Sequence, residues 1–342
     1  MRSFVVRLAA LGALAAGPAQ AAYTGLYVFG DSLSDRGNLA ALTAAASAGV
    51  SVVPTPPTYA GGQFSNGAVW VEGLSQRLGL GASRPSLLGG TVHAFGFART
   101  DSVPSLPLIP VSINLPGQVD GYIAGPAAPA GSLFAVWAGA NNLLQALAAA
   151  PAQPDPTAYL AAETASAVAG TLAQIGRLVA DGAQELLVLN LPNLGLTPRF
   201  NTNPVALAAG QQASQGFNTG LAAGLGAIDA IPGVRVMTLD VYRLFERVVA
   251  TPAAFGFVNT SSACVTGAVP AIYLSPLAAT QNCTAAQAAA SLFWDPIHPT
   301  AAVHELIAAF AAQAVPAPAA AGLFLLGLAG IVALRRRDTK LS

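Results

Sequence analysis

Runs of apolar residues bounded by Gly, Pro or Asn occur at 24–29, 132–137, 185–191 and 234–239, short and continuous enough for strands buried on both faces. Between and after them, 68–78, 157–180, 205–225 and 301–312 are Ala- and Leu-rich with recurrent helical apolar spacing, long enough for crossover helices. The alternation predicts a parallel sheet with helices on both faces, an α/β chain in one main domain. Residues 54–62 and 106–116, rich in proline and glycine, read as loops.

In an open parallel sheet the reactive groups gather at the carboxyl ends of the strands. The first run breaks there into Gly30-Asp31-Ser32-Leu33, which puts a serine at a strand end. The second run is followed by Gly139-Ala140-Asn141-Asn142, which aims the Asn141 amide at the same cleft. Far along the chain, Trp294-Asp295-Pro296-Ile297-His298-Pro299-Thr300 supplies an acid and a base three residues apart, with Pro299 suited to a first helical position. Each string alone also fits a plain turn; together they supply a nucleophile, a base with its orienting carboxylate, and an oxyanion donor.

Composition narrows the class. The chain has 342 residues, 54% hydrophobic, 9% charged and of zero formal net charge, so it can bury a large core and offers no electrostatic footprint for nucleic acid. Arg2 and Arg7 precede an apolar stretch ending in Ala19-Gln20-Ala21, the pattern of a cleaved secretory leader over 1–21, with an uncleaved anchor as the alternative. In an oxidising compartment Cys264 and Cys283, in one polar segment, are expected to pair; closing such a loop is worth roughly 3 kcal/mol in the chain-entropy treatment. Two free thiols or a metal site are the other readings.

The strings resemble, in sequence order, the GDSL family of esterases and lipases, also called SGNH hydrolases, over nearly the whole of residues 22–312. Further stretches are similar to its lecithinase-haemolysin branch and autotransporter relatives: Phe64-Ser65-Asn66-Gly67, Asn190-Leu191-Pro192-Asn193-Leu194-Gly195, and Asp240-Val241-Tyr242 running on to Phe257. The resemblance implies a flavodoxin-like three-layer α/β/α sandwich around a mainly parallel sheet. It implies Ser32 as nucleophile, His298 and Asp295 as base and acid, and an oxyanion hole of the Ser32 N–H, the Asn141 amide and a backbone N–H from 92–100. That last block departs from the family: Val92-His93-Ala94-Phe95-Gly96-Phe97-Ala98-Arg99-Thr100 keeps only the first of two usual glycines, so Gly96 is the expected donor and Phe97 its alternative. His93 reads as packing, and Asn142 stands where an Asp is common.

The expected chemistry is hydrolysis of carboxylic esters, lipid esters among them, through an acyl-enzyme. It calls for no metal or cofactor, and its rate should fall as pH drops through about 6 to 7, where a histidine base takes up a proton. An acyltransferase using the same acyl-enzyme, and a surface protein weakened in turnover, are the rival readings. Residues 313–342 form a tail: Val315-Pro316-Ala317-Pro318, an apolar run over 319–334, and Arg335-Arg336-Arg337. As a helix the run would be about 24 Å long, against a hydrocarbon core of about 30 Å. The tail resembles the PEP-CTERM sorting signal of Gram-negative bacteria, with Ala317 where Glu is usual. That resemblance implies an exosortase-like protease as partner, transient membrane association, and a secreted or cell-surface destination; a single-pass anchor is the alternative.

Overall fold

The computed structural model describes residues 23–48, 52–103, 113–267 and 271–315. The leader, the apolar run and the basic end of the tail, and part of the 106–116 loop lie outside the described residues. Residues Tyr23–Pro316 form one compact unit.

The apolar runs become β1 (Leu26–Gly30), β2 (Leu133–Trp137), β3 (Glu185–Leu189) and β4 (Arg235–Leu239), hydrogen-bonded in that order and parallel throughout. The outer edge of β1 carries a further segment, 91–95: Val28 N–H donates to Thr91 O, His93 N–H to Val28 O and Phe95 N–H to Gly30 O, with a parallel bridge from Val28 to Val92. Counting this segment as the second strand in sequence gives the spatial order 2-1-3-4-5, whose switch point lies between β1 and β2. Hydrophobic patterning did not predict it, since Thr91, His93 and Gly96 interrupt the apolar run.

Ten helices complete the described residues: α1 (Asn38–Ala46), α2 (Trp70–Arg77), α3 (Leu115–Ile123), α4 (Ala140–Ala149), α5 (Pro156–Ala180), α6 (Pro204–Asp229), α7 (Val241–Ala250), α8 (Ala271–Leu274), α9 (Ala285–Ala289) and α10 (Ala301–Ala314). Helix α2 packs on α10, and α5 on α3, α4 and α6, giving three layers, α/β/α. The long helices start where the sequence allows: Asp155 and Asn203 accept the N–H groups of Ala158 and of Val205 and Ala206, each followed by proline at the first helical position. Three boundaries differ from expectation. Residues 115–116 open α3 rather than closing a loop, and α10 begins after the cap Thr300, so Pro299 lies outside it. Helix α10 also runs to Ala314, with Val315 packed in the core, slightly beyond the expected domain end at 312.

Past α7 the chain builds small pairings. Strand β5 (Asn259–Ala263) runs parallel to β8 (Ser291–Phe293), and β6 (Val265–Thr266) pairs antiparallel with β7 (Thr280–Gln281). The Cys264–Cys283 disulfide closes the base of this second pair, and α8 lies within the loop it encloses. A second hydrophobic cluster, separate from the main core and rich in aromatic residues, contains Leu39, Tyr59, Phe64, Phe95, Tyr273 and Trp294.

Candidate active site

Ser32 follows β1 directly. Gly30 permits this, because it pairs with Trp137 of β2 so closely that a Cβ would lie 2.1 Å from the Trp137 carbonyl oxygen. The chain then turns tightly, with Ser34 and Asp35 N–H groups both donating to Asp31 O at 3.0 Å. Ser32 is left 7% exposed, with no acceptor for its backbone N–H among the described residues.

Asp295 and His298 come from the turn that leaves β8. Asp295 Oδ1 accepts the N–H groups of Ile297 at 2.9 Å and His298 at 2.7 Å, which folds four residues into one tight loop. Pro299 is held outside α10 because its carbonyl accepts from Ser65 Oγ, while Asn66 Oδ1 receives the first helical N–H, from Ala301. The Phe64–Gly67 string therefore buttresses the histidine turn.

The three side chains meet. Ser32 Oγ lies 2.7 Å from His298 Nε2, and His298 Nδ1 lies 2.8 Å from Asp295 Oδ2. A carboxylate only accepts, so Nδ1 carries the proton and Nε2 is the acceptor for the serine hydroxyl. Asp295 is fully buried and His298 is 3% exposed. Phe64 and Tyr273 enclose the imidazole at centroid distances of 5.2 and 5.5 Å.

Asn141 sits in the first turn of α4, at the carboxyl end of β2, and so enters the cleft at the sheet's switch point. Its Nδ2 donates one proton to Ala98 O at 2.9 Å, leaving the other free to point at the site. Asn142 holds the same loop, accepting the Thr100 N–H at 3.0 Å and donating to Asp101 Oδ2 at 3.0 Å.

The loop at 96–97 departs from expectation. Gly96 N–H donates to Asp35 Oδ2 at 2.8 Å in a buried setting, so it is already committed. Phe97 has φ 65°, the left-handed conformation, and its N–H has no partner among the described residues. The glycine at 96 serves space rather than backbone angle: a Cβ there would lie 2.2 Å from the Phe64 ring. His93 packs, as expected, stacked on Phe29 at 5.0 Å, and burial pushes its pKa down to about 4.

Ser32, Asn141 and His298 line a cavity of about 30 Å³, walled by Trp137, Leu144, Leu194, Phe245 and Phe293. No lining residue comes from the 54–62 loop. That loop instead sends Tyr59 inward, its hydroxyl donating to Asp295 Oδ2 at 2.9 Å. Sequence reading also missed Gln118, which brackets Gly30 by accepting its N–H and donating to its carbonyl, and Asp35. A lone Tyr or Gln in a loop or helix carries no periodic signal. Only Asp35, two residues past the Gly30–Leu33 string, stood near a recognisable motif.

Asp31 accepts the Leu33 N–H through Oδ1 and leaves Oδ2 buried without a partner; burial raises its pKa to about 7. Asp35 is raised to about 6 by the same cause, against the pull of the Gly96, Gly37, Asn38 and Leu39 N–H groups. Among the described residues no cluster of metal-ligating side chains occurs, and no helix is long and apolar enough to cross a membrane.

The chain is 28% identical over 339 residues to the phosphatidylcholine-sterol acyltransferase of Aeromonas hydrophila, covering 89% of this chain and 94% of that one. It is 25% identical over 286 residues to the thermolabile hemolysin of Vibrio parahaemolyticus, covering 82% of this chain and 60% of that one. A solved member of the lipolytic protein G-D-S-L family from Veillonella parvula aligns over 85% of this chain and 97% of that one, at 12% identity and a TM-score of 0.42. The GDSL-like Lipase/Acylhydrolase profile matches residues 26–310, from the first strand into the last helix, and the chain belongs to that family.

Proposed function

We propose that this protein is an exported serine esterase acting on carboxylic, including lipid, esters through a Ser32 acyl-enzyme. The observation that carries the reading is the buried relay from Ser32 Oγ through His298 to Asp295, with both contacts under 3 Å. His298 Nε2 takes the Ser32 proton as Oγ attacks the ester carbonyl. Asp295 steadies the imidazolium, which then protonates the departing alcohol. Water repeats the sequence on the acyl-enzyme and frees the acid. The oxyanion is met by the N–H groups of Ser32 and Phe97 and the free Asn141 amide proton, Phe97 taking the place first expected of Gly96 because Gly96 serves Asp35.

Hydrolysis of an aryl-ester chain-length series and of a phospholipid, beside Ser32→Ala, tests the reading. Ser32→Ala is expected to abolish turnover, and equal rates would sink it. Asn141→Ala should lower kcat on the order of 10²–10³-fold with little change in KM.

The similarity to a phosphatidylcholine-sterol acyltransferase supports a second reading, transfer of the acyl group to an alcohol in place of water. Product ratios with and without an added sterol separate the two. For destination, the pattern at 1–21 supports export. The 313–342 tail, with its Pro-Ala-Pro string, apolar run and arginines, supports transient membrane association and removal by an exosortase-like protease. Mass spectrometry of the secreted protein checks both cleavages.

A further inference from the structure

We propose that Tyr59 and Tyr273, delivered by two loops remote in sequence, are positioning residues that set the strength and direction of the Asp295–His298 hydrogen bond. The inference rests on the serine-esterase reading and assigns two side chains to the same site.

Asp295 accepts at both of its oxygens. Its Oδ1 takes the two backbone N–H groups that any tight Asp-x-x-His turn supplies, whereas Oδ2 serves both His298 Nδ1 at 2.8 Å and the Tyr59 hydroxyl at 2.9 Å. The Tyr273 hydroxyl stands 3.3 Å from Nδ1. Because Nδ1 already carries a proton, Tyr273 cannot donate to it, so its own O–H is left for the Asp295 carboxylate. Burial, followed by the Asp295 charge, raises both phenol pKa values well above the ordinary tyrosine range. Both therefore stay protonated and donate wherever the protein is folded.

The two phenols are also fixed to each other. Thr55 donates to the Tyr273 carbonyl through Oγ1 at 2.6 Å and through its N–H at 3.1 Å, and the rings meet edge-to-face at 5.5 Å. Tyr59 is fully buried and Tyr273 is 1% exposed, which keeps bulk solvent away from both hydroxyls. Tyr273 lies in the loop enclosed by the Cys264–Cys283 disulfide, so that loop is an arm bringing a hydroxyl to the catalytic pair.

Each phenol bond spreads the carboxylate charge and weakens its pull on the imidazolium while locking its direction. Removing one leaves a stronger but less aligned acceptor. Other titratable groups facing the pair are Asp31, His304 and Arg199. None is altered by replacing a tyrosine with phenylalanine, which keeps the ring packing.

The test compares wild type, Tyr59→Phe and Tyr273→Phe by the pH profile of kcat/KM on an aryl ester, by thermal melting, and by the far-downfield proton NMR resonance of the His298 Nδ1–H. Tyr59→Phe is expected to lower kcat about tenfold with KM nearly unchanged, and to move the acid limb upward by up to about one pH unit. The Nδ1–H resonance should shift in both variants. Wild-type acid limbs together with an unmoved resonance in folded variants would overturn the proposal. The resonance needs no turnover, so it decides the matter for Tyr59→Phe alone should Tyr273→Phe not fold. It also decides if Ser32→Ala proves as active as wild type, an outcome that would sink the esterase reading instead.

Discussion

Phe97 and Gly96 divide between them what two glycines would otherwise do. The left-handed backbone falls on Phe97, at a cost of about 1–3 kcal/mol for a residue with a side chain, offset by edge-to-face packing on Phe64 and Tyr273. Gly96 needs the absence of a Cβ, because the Phe64 ring fills that space. The two positions should therefore respond oppositely. Gly96→Ala is expected to displace Phe64 from His298 and cut kcat/KM by roughly a hundredfold or more. Phe97→Gly keeps the backbone donor and should stay within about tenfold of wild type. Esterase assays of both check this; equal losses would mean that the Phe97 ring is needed as much as the open space at Gly96. The glycine was legible in the sequence, but its reason was not, since a clash with a residue 32 positions earlier has no local signature.

At the level of elements, α10 carries a liability that its amphipathic pattern conceals. His304 is 1% exposed, neither ring nitrogen has a partner, and burial, helped by the His298 charge, pushes its pKa down to about 3. A histidine depressed on folding contributes its full stability above the unfolded value of about 6.5, and that contribution is lost as pH falls from there toward the folded value. His304→Leu is expected to melt higher than wild type, the gain growing from neutral pH to about pH 5, where the charging penalty it removes reaches about 2 kcal/mol. Melting curves across that range check it, and a constant difference would mean that packing alone is responsible. Strands β1 to β4 and the long helices α5 and α6 were legible because apolar runs and helical periodicity are local properties. Helices α1, α3, α4 and α7 and the 91–95 edge segment were not predicted. Each is short, and in the edge segment polar residues interrupt the pattern.

In the whole molecule, Tyr23–Pro316 is one compact unit that includes every residue of the proposed site. A chain of residues 23–316 is therefore expected to match the full chain in melting temperature and in hydrolysis of a soluble aryl ester, with differences confined to lipid substrates presented in membranes. Purified forms of both lengths, compared in the same assays, check this; loss of soluble-ester activity would place part of the site outside the unit. The sequence by itself determined the α/β class, the parallel strands, the family, and the serine, asparagine, aspartate and histidine. Each of these is written in a short contiguous string or a local period. Tertiary structure alone decided that the N–H of Gly96 is committed to Asp35, that the 91–95 segment extends the sheet beyond β1, and that two phenols from distant loops converge on the Asp295–His298 pair. Those contacts join residues far apart along the chain, and closeness created by folding leaves no periodic trace in the sequence.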